Sequence, residues 1–259
     1  MAAAATAGAT APVRVEVCDG VGHLVLARPS ASNAVDLPTA HALRDAVGAL
    51  AADDAVAAVL VTGEGPRFCA GGDVASMLAA TDRAAYLEEL AAAVDEALVA
   101  LHRLEKPVVA AVKGAVAGAG LAVMLSCDLV VAQASTRFVS AYAGVGLTPD
   151  CGLSWLLPRA VGQQRALELL LTPRVLTVEE ARDWGMVTEV VPDGDADRAA
   201  ELAERLARGP AYALGQARRL VRSGWDADRA AVGRDEAATI ARAVTTPQAA
   251  ALLDRFAGR

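Results

Sequence analysis

The chain has 259 residues, long enough for one substantial core or two modest domains without disulfide or metal staples. Its 24 basic and 31 acidic side chains give a formal charge of −7, which argues against the concentrated basic face that nucleic acids need. With 54% apolar and 21% charged residues, mostly alanine and valine in the apolar share, the chain is not disordered and builds its core from many small contacts.

The opening MAAAATAGATAP has no basic segment and no strong apolar run, so residues 1–12 are expected to be a frayed tail rather than a secretory signal. Val13–Val17 alternates with period two, and HLVLA after Gly20-Val21-Gly22 completes a predicted hairpin. Asp36, just before Leu37-Pro38, is placed to cap a helix running to about Ala51. Ala55–Gly63 reads as a buried strand ending in glycine. A long helix is predicted from Asp82 to Leu104, stopped by Glu105-Lys106-Pro107. Pro107–Gly114 and Leu129–Gln133 read as two more buried strands. The uncharged run Gly114–Cys127 is too short and too glycine-broken to span a bilayer. Strands alternating with helices predict an α/β fold with a largely parallel sheet. After Gly162 strand patterns nearly vanish. The division is therefore placed near residues 190–200, with an α/β core over 13–195 and a helical region over 196–259.

The chemistry is not announced by the usual nucleophiles. Cys18, Cys69, Cys127 and Cys151 are widely spaced and form no C-x-x-C pair, so neither a metal site nor a disulfide is expected; reduced thiols fit a cytoplasmic protein. His23, His41 and His102 have no evident nucleophile beside them. There is no Walker A motif, no G-x-G-x-x-G after the first strand, no G-x-S-x-G and no H-E-x-x-H. Two glycine-rich segments carry more. Val61–Met77 takes a strand into Phe68-Cys69-Ala70-Gly71-Gly72-Asp73, and Lys113–Asp128 passes through Gly114, Gly118 and Gly120 into a short apolar helix. Glycines free backbone amides to face a ligand, and the first amides of a helix are unpaired. One amide from each loop could converge on a single oxygen.

Taken in order, FCAGGD, KGAVAGAG…CD and Gly144–Gly162 (GVGLTPDCGLSWLLPRAVG) resemble the crotonase superfamily of enoyl-CoA hydratases and isomerases. The resemblance continues through Leu171–Val191, and upstream His23–Asp36 is similar to the family's N-terminal hairpin and Asn-containing turn; in all it covers roughly residues 13–225. It implies a crotonase-like spiral of repeated strand–strand–helix turns closed by a C-terminal helical region. It also implies an acyl-CoA thioester substrate, assembly as a trimer or a dimer of trimers, and an oxyanion hole that by position uses the amides of Ala70 and Ala119. No cofactor is implied beyond the coenzyme A carried by the substrate.

The departures from the family are informative. Its hydratases carry two glutamates, and the matching positions here hold Ala122 and Tyr142, so the carboxylate pair for hydration is lacking. Asp150, in GLTPDCG, stands where isomerase-type members such as the PaaG-like subgroup carry their single acid. It is expected to be the base of an enoyl-CoA isomerase, although Asp150 could also cap a helix over Cys151–Leu157. Asp73 would hold its loop or meet the CoA adenine region, a solvated or helix-capping role being the alternative, and Arg28 would approach the CoA phosphates. Gly71 and Gly118 would shape the loops around the thioester. Met77, Leu78, Tyr142 and Trp155 would line an acyl pocket, with Arg255 reaching CoA from a neighbouring subunit. The competing readings are a hydratase or another acyl-CoA-transforming enzyme, and a non-catalytic acyl-CoA-binding assembly protein; nucleic acid and membrane are not expected partners.

Overall fold

In the computed structural model, which describes residues 11–258, the chain opens with β1 (Val13–Cys18) and β2 (Val21–Leu26), paired antiparallel. Most of the expected N-terminal tail lies outside the described residues. The hairpin turn is Asp19-Gly20, both at positive φ, so β2 starts two residues earlier than the sequence pattern predicts. Then come α1 (Leu37–Ala52), β3 (Ala58–Gly63), α2 (Val74–Ala79), α3 (Arg83–Arg103) and β4 (Val108–Val112). Asp36 caps α1, accepting from Thr39 N at 2.9 Å, and Asp82 caps α3. The strand expected from Ala55 begins only at Ala58, because Ala55 and Val56 turn under the side chain and carbonyl of Asp53 and Ala57 N donates to Gly20 O.

Next are β5 (Ala115–Ala117), α4 (Ala119–Leu125), β6 (Leu129–Gln133) and β7 (Arg137–Val139). They are followed by α5 (Leu153–Val161), α6 (Gln163–Leu171), β8 (Val175–Thr177), α7 (Val178–Asp183) and β9 (Glu189–Val191). Four helices end the chain: α8 (Asp197–Ala207), α9 (Ala211–Ser223), α10 (Arg229–Ala243) and α11 (Pro247–Ala257). The main sheet has the order β1-β2-β3-β4-β6-β9, parallel from β2 onward, and β5-β7-β8 form a small second sheet. Helices separate the successive parallel strands of the main sheet from β2 onward and also end the chain, as the expected α/β spiral with a helical C-terminal region requires. The strands β8 and β9 were below the reach of periodicity, since three residues cannot display a period.

Both faces of the main sheet are apolar, as a covered parallel sheet requires. On β3, Val59 and Val61 face one core cluster with α1 and α3, while Leu60 faces the other. On β4, Val108, Ala110 and Val112 share the first side with Val130 and Ala132 of β6; Val109 and Val131 point the opposite way. There Ala199, Leu202 and Ala203 of α8 close the second face, so the helical region begins by completing the sheet's own core.

The α9 helix is fixed by charge. Arg218 and Arg222, both buried, each donate to Asp128 at 2.7 Å, and Asp128 also accepts from Val108 N. Arg222 reaches the carbonyls of Ser126 and Cys127 at the end of α4, and Arg218 those of Leu101 and His102 near the end of α3. These guanidiniums satisfy carbonyls that a helix end leaves without partners. Among the described residues no helix is long and apolar enough to cross a membrane.

Candidate active site

Strands β3 and β4 are neighbours, and the loops leaving their C-terminal ends meet above the sheet, the usual ligand position in parallel α/β folds. They are stitched by Phe68 N to Lys113 O (2.9 Å), Ala117 N to Cys69 O (3.1 Å) and a bridge between Cys69 and Val116. The approach is close enough to dictate glycine twice. A Cβ on Gly71 would stand 2.9 Å from the Ala117 carbonyl oxygen, and one on Gly120 would collide with the carbonyl of Cys69. Asn33, 1% exposed, ties the first loop down, donating to the carbonyls of Glu64 and Arg67 and accepting from Arg28 N.

The loops enclose a cavity of about 300 Å³. Ala70, Gly71, Gly72, Gly118, Ala119, Met77, Tyr142 and Asp150 all border it, with Val74, Leu87, Ala91, Val145 and Leu147 adding apolar wall. Glu88, exposed on α3, lies at its edge. Of the two amides expected to face the ligand, only one is open. Ala119 is the first residue of α4, and its N–H has no acceptor among the described residues. The Ala70 N–H already donates to Ser32 O at 3.1 Å, and the Gly71 N–H meets the Cys69 sulfur. The open amide of the first loop is that of Gly72, which borders the cavity and has no acceptor among the described residues. Sequence reasoning missed it because the bond that occupies Ala70 comes from a turn remote in the chain.

Asp150 is half-buried, and its Oδ1 accepts a 2.6 Å hydrogen bond from Tyr142 Oη. Its side chain does not cap a helix. The following helix starts at Leu153 rather than Cys151, Gly152 takes the capping position, and only the Asp150 carbonyl accepts, from Leu153 N at 2.9 Å. Burial and the Asp150 carboxylate push the phenol of Tyr142 and the thiol of Cys151 up, so both are protonated donors at neutral pH. The Cys69 thiol is likewise pushed up by burial, to about 11. Ala122 is fully buried in α4 and borders no part of the cavity.

Other expected site residues are placed differently. Arg28 is not a free cation for phosphates. It donates to Ala34 O at 2.5 Å and ion-pairs with Asp73 at 2.9 Å and Asp36 at 3.0 Å, pinning the starts of α1 and α2 together. Burial opposes ionisation of Asp73, but the Ser76 amide and Arg28 outweigh it and hold the carboxyl below its usual range. Asp73 takes the capping alternative, accepting from Ser76 N at 3.2 Å at the start of α2. Trp155 borders a separate cavity of about 350 Å³, packed 5.3 Å from His102 and 5.1 Å from Trp225 between ring centroids, with the Arg159 guanidinium 3.9 Å above its ring. Leu78 is exposed beside the cavity-lining Met77, and Arg255 donates to Ala251 O within its own helix.

Residues 16–250 match the sequence profile of the enoyl-CoA hydratase/isomerase family. The chain is 37% identical over 209 residues to the 1,2-epoxyphenylacetyl-CoA isomerase of Escherichia coli K12, covering 79% of each chain. It is 35% identical over 215 residues to the 4-chlorobenzoyl coenzyme A dehalogenase-2 of an Arthrobacter species, covering 82% of this chain and 78% of that one. The crystal structure of an enoyl-CoA hydratase from Mycobacterium smegmatis superposes with a TM-score of 0.89 at 31% identity, over 95% of this chain and 96% of that one. Its fold, its two converging loops and this likeness along nearly the whole length agree: the chain belongs to the enoyl-CoA hydratase/isomerase family of the crotonase superfamily.

Proposed function

We propose that the protein is an enoyl-CoA isomerase that moves a double bond from the 3- to the 2-position of an acyl-CoA thioester. The observation that carries this reading is the make-up of the cavity: two open backbone amides, Gly72 and Ala119, and one half-buried carboxylate, Asp150, with no second carboxylate at the positions of Ala122 and Tyr142. The thioester oxygen accepts from the two amides. Asp150 removes the α-proton, the electron pair delocalises into the dienolate and onto that oxygen, and the protonated Asp150 returns the proton to the γ-carbon. One base is sufficient for both transfers. Addition of water would require a second group to activate it. The chemistry needs no cofactor of the protein's own, because coenzyme A arrives with the substrate.

The test is label transfer. A 3-enoyl-CoA deuterated at the α-carbon and turned over in ordinary water should carry part of its deuterium to the γ-carbon. Asp150→Asn should bind the substrate and lose roughly 10²–10⁴-fold in turnover. Efficient hydration of a 2-enoyl-CoA by the wild type, or robust isomerisation by Asp150→Asn, would overturn the assignment. Assembly as a trimer or dimer of trimers is part of the same proposal. Ile240 of α10, Val244 just after it, and Leu252, Leu253 and Phe256 of α11 leave apolar surface exposed on a single chain. A monomer in sedimentation at micromolar concentration would contradict it.

A further inference from the structure

Tyr142 stands where a hydratase of the family carries a carboxylate, and the structure gives it a definite partner. Its phenol oxygen lies 2.6 Å from Asp150 Oδ1, a short charge-assisted contact. The residue is 9% exposed and its ring would meet a Cβ on Gly118, the residue before the Ala119 amide, at 3.7 Å, so one side chain lies between the oxyanion turn and the carboxylate. The backbone holding it is constrained. Ala141 sits at φ 64°, and the carbonyl of Tyr142 accepts from both Val145 N and Leu147 N. On the other side of Asp150, Cys151 sits at φ 52° and Gly152 at φ 73°. Each non-glycine left-handed residue is an uncommon conformation, and here one lies on either side of the Tyr142–Asp150 pair.

We propose that Tyr142 is a positioning residue for Asp150: its hydroxyl holds Oδ1, fixes the plane of the carboxylate and leaves Oδ2 as the atom that takes and returns the substrate proton. This rests on Asp150 being the base. A carboxylate with both oxygens free would rotate and share the proton between them. With Oδ1 held, the proton is taken up and released at one atom, which must serve both the α- and the γ-carbon. The phenol donates to the carboxylate at 2.6 Å, and Tyr142→Phe removes that donor while keeping the ring. The other titratable groups facing Asp150 are Cys151 in its own segment, Glu88 of α3 across the cavity, and Asp95 of α3, whose carboxylate lies beside Gly152. None of these offers Asp150 a positive charge; the Cys151 thiol is a second, weaker donor beside it, and the phenol makes the short hydrogen bond.

The experiment compares wild type and Tyr142→Phe on a 3-enoyl-CoA across pH, with binding of a saturated acyl-CoA measured alongside. Loss of one hydrogen bond to a charged group predicts a plateau kcat lower by roughly 10- to 100-fold with KM little changed. It also predicts that the acid limb of the profile moves up by roughly one to two pH units. A merely structural tyrosine would weaken binding or stability and leave the limb where it was. A second arm keeps the test independent of how the variant folds. Replacing the three tyrosines by a fluorotyrosine, a more acidic donor, should move the acid limb down in the wild type and not in Tyr142→Phe. An unmoved limb in both arms, or a Tyr142→Phe enzyme with full kcat, would overturn the positioning role. Failure of the wild type itself to isomerise would overturn the isomerase reading instead, so the two results are separable.

Discussion

Ala119→Pro tests the oxyanion geometry with little collateral change. Ala119 is the first residue of α4, where proline is accommodated because the N–H has no partner within the helix. Its amide has no acceptor among the described residues, so its removal breaks none of the hydrogen bonds that hold the loops together. If that N–H stabilises charge on the thioester oxygen, its loss should cost about 2.7–4 kcal/mol in the transition state, or roughly 10²–10³ in kcat. Ala119→Gly keeps the donor and should be far milder. The matched control is the first loop. A backbone ester at Gly72, which removes only the N–H, should cost turnover on the same scale. An ester at Ala70 should cost stability of about 0.5–1.5 kcal/mol, since that amide is spent on Ser32 O. Isomerase turnover, urea unfolding and saturated acyl-CoA binding on all four proteins make the comparison. A folded Ala119→Pro protein with full turnover, or an Ala70 ester as damaging to kcat as the Gly72 ester, would refute the reasoning.

Two further outcomes concern the frame. Asp128 joins two buried guanidiniums, their side chains 5% and 10% exposed, and Asp128→Asn would leave these like charges facing each other; the loss should be about 3–5 kcal/mol in urea unfolding. A loss below about 1 kcal/mol, the range of an exposed pair, would show the clamp to be unimportant. His102 is pushed down from 6.5 to about 4, by burial first and then by Arg222 and Arg218. The unfolded chain binds that proton more readily than the native state, so this contribution to stability is complete above about pH 6.5 and declines as pH falls toward about 4. His102→Gln should flatten the fall of Tm over that window, and an unchanged slope would argue against the assignment.

What the sequence disclosed follows the range of the forces involved. Asp36 and Asp82 cap helices through bonds two or three residues long, and the buried strands β3, β4 and β6 are apolar on both faces, so local pattern located them. Asp150 was legible as a lone acid in a motif, yet its side-chain partner was not: the capping alternative and the Tyr142 bond differ only in how Cys151 and Gly152 turn the chain. Trp155 has the composition of a pocket residue, but its place is decided by His102 and Trp225, which come from α3 and from the turn after α9. Arg28 was misplaced for a similar reason. A basic residue near a ligand loop suggests phosphate, whereas Asp36 and Asp73, distant in sequence, had already claimed it.

The same distinction bears on how the site sets its reaction. In the proposed reaction the donors for the thioester oxygen are backbone amides, so positions 72 and 119 would constrain conformation and permit glycine and alanine. Chemistry is then left to the few side chains that border the cavity and can ionise or hydrogen-bond. Ala122 is removed from that set by complete burial and by having no polar atom, and Tyr142 by a phenol kept protonated beside a carboxylate. Glu88 is exposed at the edge, where water screens it. Asp150 is the carboxylate that remains, bordering the cavity with Oδ1 bonded to Tyr142, and on the proposed function a single base held in this way would favour a proton shift within the substrate over the addition of water.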